Sequence, residues 1–158
     1  MSAPRSTQVA AGEAAPDFTL RDQRGQQVTL SELLRERCVV LYFYPKDDTA
    51  GCTAEACSFR DQYEVLKAAG AEVVGVSSDD VESHEAFGAR YRLPFVLLSD
   101  PGGRVRGSYG IKRSLGIIDG RVTFVIDRQG VVRHAFSSQL RPKKHVDEAL
   151  RILASIQR

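Results

Sequence analysis

The sequence predicts an α/β protein with a mixed central sheet and helices on both faces. Cys38–Phe43 is an unbroken apolar, β-branched and aromatic run, the pattern of a strand covered on both sides, and the valine-rich residues 72–77 read as a second buried strand. Stretches with apolar residues at helical spacing follow them. Short β-rich runs joined by turn residues occur near both ends of the chain and read as hairpins. Strands separated by helices demand parallel neighbours, whereas hairpins add antiparallel ones, so the sheet must be mixed.

Residues 1–12 are small and polar and are expected to be disordered, ahead of a single domain over residues 13–158. Phe18-Thr19-Leu20 and Gln27-Val28-Thr29-Leu30 flank the turn signal Asp22-Gln23-Arg24-Gly25, giving a first hairpin. Ser31 is placed to cap a short helix reaching about residue 35. The strand from Cys38 leads into a helix over about residues 49–69, which Gly70 ends as the residue beyond the last turn. Along it Cys52, Ala56, Phe59, Tyr63 and Leu66 form an apolar stripe, while Cys57, Asp61 and Glu64 lie on a more polar one. Next come a strand at 72–77, a helix opened by Asp80 and running to about 91, and a strand at 95–98 entered at Pro94. Asp100-Pro101-Gly102-Gly103 turns into a short helix near 105–108. Residues 121–127 and 131–136 flank Arg128-Gln129-Gly130 as a second hairpin. Residues 142–156 close the chain as a helix with Val146, Leu150, Leu153 and Ile156 on its apolar face.

Composition excludes several classes. The chain has 158 residues, 42% apolar and 27% charged, as in ordinary globular domains. A net charge of +2 is too small to argue for nucleic acid, and the basic clusters lack interleaved aromatics. No apolar run approaches the roughly 20 residues of a membrane span. The N-terminus has no secretory apolar region, and three cysteines are too few for an extracellular disulfide framework. A cytoplasmic protein is expected. His84, His134 and His145 are widely spaced and outside any motif, which suggests solvated side chains, and the pattern calls for no metal or cofactor.

The chemistry centres on Cys52. If Thr49 is the N-cap, Cys52 is the third residue of its helix, near unpaired amides whose partial positive charge favours thiolate over thiol. Gly51 leaves room for a small ligand to approach the backbone there. The competing reading of Cys52 is a small core residue on its apolar stripe. Cys57 follows on the same helix. Positions i and i+5 of an intact helix have Cα atoms roughly 8.5 Å apart and side chains ~140° apart in azimuth, beyond what a disulfide spans. If the two sulfurs react, the start of the helix must unwind. An incidental half-exposed thiol is the alternative for Cys57.

Pro45-x-x-x-Thr49-x-x-Cys52 resembles the active-site signature of the peroxiredoxins, and the continuation through Cys57-Ser58-Phe59-Arg60-Asp61 resembles their Q-type, or bacterioferritin comigratory, subfamily. The likeness extends to Ala15-Pro16-Asp17-Phe18-Thr19-Leu20, Gly75-Val76-Ser77-Ser78, Leu97-Leu98-Ser99-Asp100, Tyr109-Gly110-Ile111 and the strand from Arg121, and so covers about residues 12–156. It implies a thioredoxin-like fold with an added N-terminal hairpin and an addition at 79–119. It also implies a thiol peroxidase that reduces hydrogen peroxide and alkyl hydroperoxides. In that resemblance Cys52 is the peroxidatic cysteine, Thr49 orients thiolate and peroxide, Pro45 shields the pocket, and Arg121 stabilises the thiolate and polarises the peroxide. Cys57 is the resolving cysteine, which would close an intramolecular disulfide reopened by thioredoxin or a similar dithiol donor. A monomer is implied, because an intramolecular resolver needs no second subunit.

Two departures stand out. Ala50 replaces the proline common after the threonine, which only pre-sets φ, and Cys38 has no counterpart and reads as core. Glu55 matches a glutamate often found three residues after the peroxidatic cysteine, where it either meets the arginine or lies on the surface. Two other classes stay open. A metal-handling protein of the same fold would use the helix cysteines with a histidine such as His134, and a general disulfide-exchange protein would normally carry Cys-x-x-Cys, which is absent.

Overall fold

The structure is a computed structural model that describes residues 3–112, 120–138 and 141–156. Its elements are β1 (Thr19–Arg21), β2 (Gln27–Thr29), α1 (Leu30–Leu33), β3 (Cys38–Phe43), α2 (Ala50–Asp61), α3 (Tyr63–Ala68) and β4 (Ala71–Ser77). These are followed by α4 (Val81–Arg90), β5 (Val96–Ser99), a single 3-10 turn, α5 (Arg104–Ser108), β6 (Val122–Ile126), β7 (Val132–Ser137) and α6 (Pro142–Ile156).

The seven strands form one sheet in the order β2-β1-β5-β4-β3-β6-β7. β3 pairs parallel with β4 and antiparallel with β6; β4 pairs parallel with β5; both terminal hairpins are antiparallel. The sheet is mixed, as expected. Alternate residues of β3 serve different layers. Val39, Leu41 and Phe43 join Val74, Val76, Phe124 and Ile126 on one face. Val40, Tyr42 and Tyr44 join Val73, Val125 and the buried stripes of α2 and α6 on the other. A strand covered on both faces has no polar side to show, which explains its continuous apolar run.

Three expectations need correction. Residues 3–12 are docked rather than loose. The Arg5 and Val9 N–H groups donate to the Gly107 and Tyr109 carbonyls (both 3.0 Å), Gly12 N–H donates to Val132 O (2.7 Å), and Val9 is fully buried. Gly110, at φ 71°, permits this, because a Cβ there would lie 2.0 Å from the Thr7 carbonyl oxygen. One buried valine in a polar stretch gives no periodicity to read; residues 1–2 lie outside the described residues.

The expected 49–69 helix is kinked at Gln62 (φ −103°, ψ 7°) into α2 and α3. Hydrogen bonds four residues apart still run across the kink, from Gln62 N to Ser58 O (3.2 Å) and from Leu66 N to Gln62 O (2.9 Å). The apolar stripe is therefore continuous, and the bend leaves no mark on it. The third concerns α1, which begins at Leu30 behind Thr29, while Ser31 donates its N–H to Asp17 Oδ1 (2.9 Å) instead of capping. Part of the expected addition at 79–119, residues 113–119, lies outside the described residues.

Candidate active site

Past β3 the chain turns sharply through residues 44–49. Asp47 is buried there and anchors the turn to α4: its carboxylate accepts from Tyr44 Oη (2.5 Å) and Ser83 Oγ (2.9 Å) and meets His84 Nδ1 (2.6 Å). His84 Nε2 reaches the Leu98 carbonyl (2.9 Å), so the ring ties the turn to β5 as well. Asp48 takes the left-handed conformation (φ 62°), and its carboxylate is held by Arg90 (2.9 Å) and Tyr91 Oη (3.1 Å) at the end of α4.

Thr49 is extended and is the N-cap of α2, with its carbonyl accepting from Thr53 N (2.8 Å). Its hydroxyl donates back to Lys46 O (3.0 Å) and makes no cap bond. Ala50, Gly51 and Cys52 are thus the first three helical residues, as read from the sequence. Cys52 is 1% exposed, at the edge of the α2 core face. Pro45 is half-buried at the start of the turn.

The decisive approach comes from β6. Arg121, immediately before this strand, points its buried guanidinium at the helix start, where Nη2 donates to Cys52 Sγ (3.3 Å) and Nη1 to Glu55 Oε1 (2.7 Å). Gly51 makes the space: a Cβ there would lie 2.9 Å from Arg121 Nη2. The missing side chain admits the arginine, where the sequence suggested only room for a ligand. Burial works against the Arg121 charge, but the neighbouring Glu55 and Cys52 outweigh it and raise its pKa further.

Glu55 is fully buried, and that burial pushes its carboxyl up to about 8, with Arg121 pulling the other way. Its second oxygen lies 3.5 Å from His145 Nδ1 on α6 and has no hydrogen-bond partner among the described residues. His145 is also fully buried, between Thr123 Oγ1 (2.7 Å from Nδ1) and the Ser138 carbonyl (2.9 Å from Nε2). Burial lowers it to about 4; the Ser138 contact raises it and Arg121 lowers it further.

The structure therefore gathers Pro45, Thr49, Cys52 and Arg121 at one helix start and settles Glu55 as a partner of Arg121. Cys57 sits in the next turn, half-exposed, and all three cysteines are free thiols. Cys38 lies in the core, where burial, followed by Asp127, raises its thiol pKa. The expectation of solvated histidines fails for His84 and His145, both fully buried, while His134 stays half-buried beside Glu148 (3.2 Å). The missed signal was placement: His84 shares a stripe with Phe87 and Gly88, and His145 shares one with Ala149. Among the described residues one group has the proximity for a metal, Asp47, Asp79 and His84, and it includes neither cysteine.

Residues 11–135 match the model of the AhpC/TSA family. The chain belongs to that family. Over 149 residues it is 52% identical to "Peroxiredoxin Q, chloroplastic" of Oryza sativa subsp. japonica, covering 94% of this chain and 68% of the relative. Among solved structures, Peroxidoxin BcpB of Mycobacterium tuberculosis superposes with a TM-score of 0.88 at 40% identity, covering 94% of this chain and 98% of that one. Peroxiredoxin Q of Xanthomonas campestris gives 0.84 at 31% identity, covering 94% and 99%. The Q-type peroxiredoxin resemblance, the thioredoxin-like fold and the thiol peroxidase class are all borne out by these likenesses.

Proposed function

We propose that Cys52 is the peroxidatic cysteine, with Arg121, Thr49 and Pro45 forming its pocket and Cys57 resolving its oxidised form. The observation that carries this reading is the Arg121 guanidinium, 3.3 Å from a sulfur at the third position of a helix. A fixed guanidinium and oriented amides stabilise negative charge as it passes from sulfur to the leaving oxygen. The thiolate attacks the terminal peroxide oxygen, the O–O bond breaks, and the departing hydroxide or alkoxide takes a proton. Sulfur is left as sulfenic acid. Cys57, giving up its proton, then attacks that sulfur; the S–S bond forms, the S–O bond breaks, and the departing hydroxide takes up a proton and leaves as water. Pro45 and the Thr49 hydroxyl would exclude water from the pocket and orient the peroxide.

The substrates in this reading are hydrogen peroxide and alkyl hydroperoxides. One solved relative, the bacterioferritin comigratory protein of Xanthomonas campestris, is described for its alkyl peroxide reduction activity. Thioredoxin or a similar dithiol would reopen the disulfide, and a monomer suffices because both thiols lie on one helix. Cytoplasmic placement belongs to the same reading. The plant relatives are named chloroplastic, and among the described residues no helix is long and apolar enough to cross a membrane. General disulfide exchange fits less well, since a sulfur that is 1% exposed on a wound helix offers no surface to a protein disulfide.

Mass spectrometry of the intact reduced protein after one equivalent of hydrogen peroxide tests the cycle. A Cys52–Cys57 disulfide is expected, with Cys52→Ser inert and Cys57→Ser stalled as sulfenic acid or over-oxidised. Peroxide consumption by Cys52→Ser would remove Cys52 from the mechanism, and unchanged thioredoxin-driven turnover in Cys57→Ser would remove Cys57.

A further inference from the structure

The ladder between β3 and β6 ends with Phe43 opposite Val122. Beyond it the two strands part, one into the Pro45–Thr49 turn and the other back through Arg121 to Gly120. Two backbone carbonyls stand at this fork, those of Tyr44 and Gly120, and each belongs to the residue just before a member of the site. One side chain takes both. Arg106, on α5, donates from Nη2 to Tyr44 O (2.8 Å) and from Nη1 to Gly120 O (2.6 Å). Arg106 is itself fixed: it is buried, its guanidinium lies 5.7 Å from the centroid of the Phe43 ring, and the Asp100 carboxylate accepts from its backbone N–H (3.0 Å). Burying a cation is costly unless its donors are met, and nothing in the mechanism so far uses this one.

We propose that Arg106 is a positioning residue for the peroxidase reaction, its forked guanidinium tying the backbone that launches Arg121 to the strand end that leads to Cys52. The chain of contacts is short. Arg106 holds the Gly120 carbonyl, Gly120 is bonded to Arg121, and Arg121 Nη2 reaches Cys52 Sγ at 3.3 Å. On the other arm the Tyr44 carbonyl anchors the bridge to the end of β3. Gly120 is also closed in from the far side, where a Cβ would lie 2.8 Å from the Lys112 carbonyl oxygen. A planar fork of fixed donors suits two carbonyls at once, whereas a lysine ammonium is a compact charge on a flexible stem. Losing either bond leaves a buried carbonyl to find another partner, and the backbone moves to find it. Misplacing a reacting group by about 1 Å can cost on the order of a hundredfold in rate.

This inference rests on the roles proposed above for Cys52 and Arg121, and the test separates the two. In a Cys38→Ser, Cys57→Ser background, where Cys52 alone reports, the first reaction of reduced protein with hydrogen peroxide is followed by stopped flow without any reductant. Arg106→Lys, which keeps the charge but not the fork, is expected to slow it about tenfold. Arg121→Gln should slow it too, and adding Arg106→Lys to Arg121→Gln should bring less than about a twofold further loss, because the effect passes through Arg121. Nitrogen-15 spectra give a readout that lost stability alone would not move. The two Arg121 Nη signals should be separate in the parent and averaged in Arg106→Lys, at a temperature where melting curves show both proteins folded. Separate Arg106 Nη1 and Nη2 signals in the parent test the bridge even if Arg106→Lys does not fold. An unchanged rate in Arg106→Lys, an equal loss in the two backgrounds, or one averaged Arg106 Nη signal overturns the proposal with the role of Cys52 intact. Peroxide consumption by Cys52→Ser overturns its kinetic half together with the assignment of Cys52.

Discussion

At position 51 the absence of one methyl group decides where a guanidinium sits. A Cβ there would meet Arg121 Nη2 at 2.9 Å, and the neighbour that must give way is the tip of a long side chain rather than backbone. Gly51→Ala should therefore fold at least as well as the parent, since alanine is favoured over glycine in a helix by about 1 kcal/mol. Yet it should lower the rate with peroxide by roughly tenfold or more, because the donor is pushed off the sulfur. Stopped-flow oxidation and thermal melting of the same variant check both halves; an unchanged rate would show that Arg121 adjusts without cost. Cys38→Ser is the counter-case, a buried thiol outside the site, and should leave the rate unaltered. Residues of this kind differ in how legible they were. Cys52, Thr49 and Pro45 lie within eight positions of one another, so spacing revealed them, and Arg121 became visible only through resemblance. The partners of Glu55 and Asp47 were hidden because their contacts, His145 and His84, are set by sheet order and helix packing, which no local pattern encodes.

If Cys52 and Cys57 are to join, the element that must move is α2, and its packing indicates where the movement would stop. Unwinding residues 50–57 exposes Cys52 and Ala56, each costing about 1 kcal/mol of lost burial, whereas exposing Phe59 would cost roughly 2–3 kcal/mol. Phe59 is fully buried and stacks on Tyr42 with ring centroids 4.6 Å apart, and Arg60 Nη1 bonds the Tyr91 carbonyl at 2.8 Å. On the near side Asp47 and Asp48 are pinned to α4, so the turn before Thr49 is a fixed pivot. Disulfide closure should therefore raise amide exchange over residues 50–57 and leave 59–68 and the 44–48 turn protected. Protection retained across 50–57 in the disulfide form would defeat the unwinding account. The sequence pattern showed the stripe along this helix but not the bend at Gln62, because the hydrogen bonds and the apolar spacing both run through it. It showed every strand as well: β3, β4 and β6 as runs buried on two faces, and the exposed hairpin strands β1, β2 and β7 through the turn residues beside them. The docked segment at 3–12 went unread because one valine and a few backbone bonds hold it.

For the molecule as a whole, the buried Glu55 and His145 make stability depend on pH in opposite senses. Glu55 is raised from 4.5 to about 8, so between those values the folded state keeps a proton that the unfolded chain has lost, and stability falls as pH rises. His145 is lowered from 6.5 to about 4, so between those values the unfolded chain holds the extra proton, and stability rises with pH. The two trends oppose each other up to about 6.5. Above it the histidine is neutral in both states and the Glu55 trend acts alone, through to about 8. Glu55→Gln cannot ionise, so its stability relative to the parent should increase steadily from pH 6.5 to 8.5. Chemical denaturation of both proteins in a Cys52→Ser background removes the reactive thiol from the comparison. Parallel pH dependence in the two would mean that Glu55 is ionised throughout this range. Glu55 and Arg121 would then be an ordinary buried ion pair clamping α2 to the start of β6.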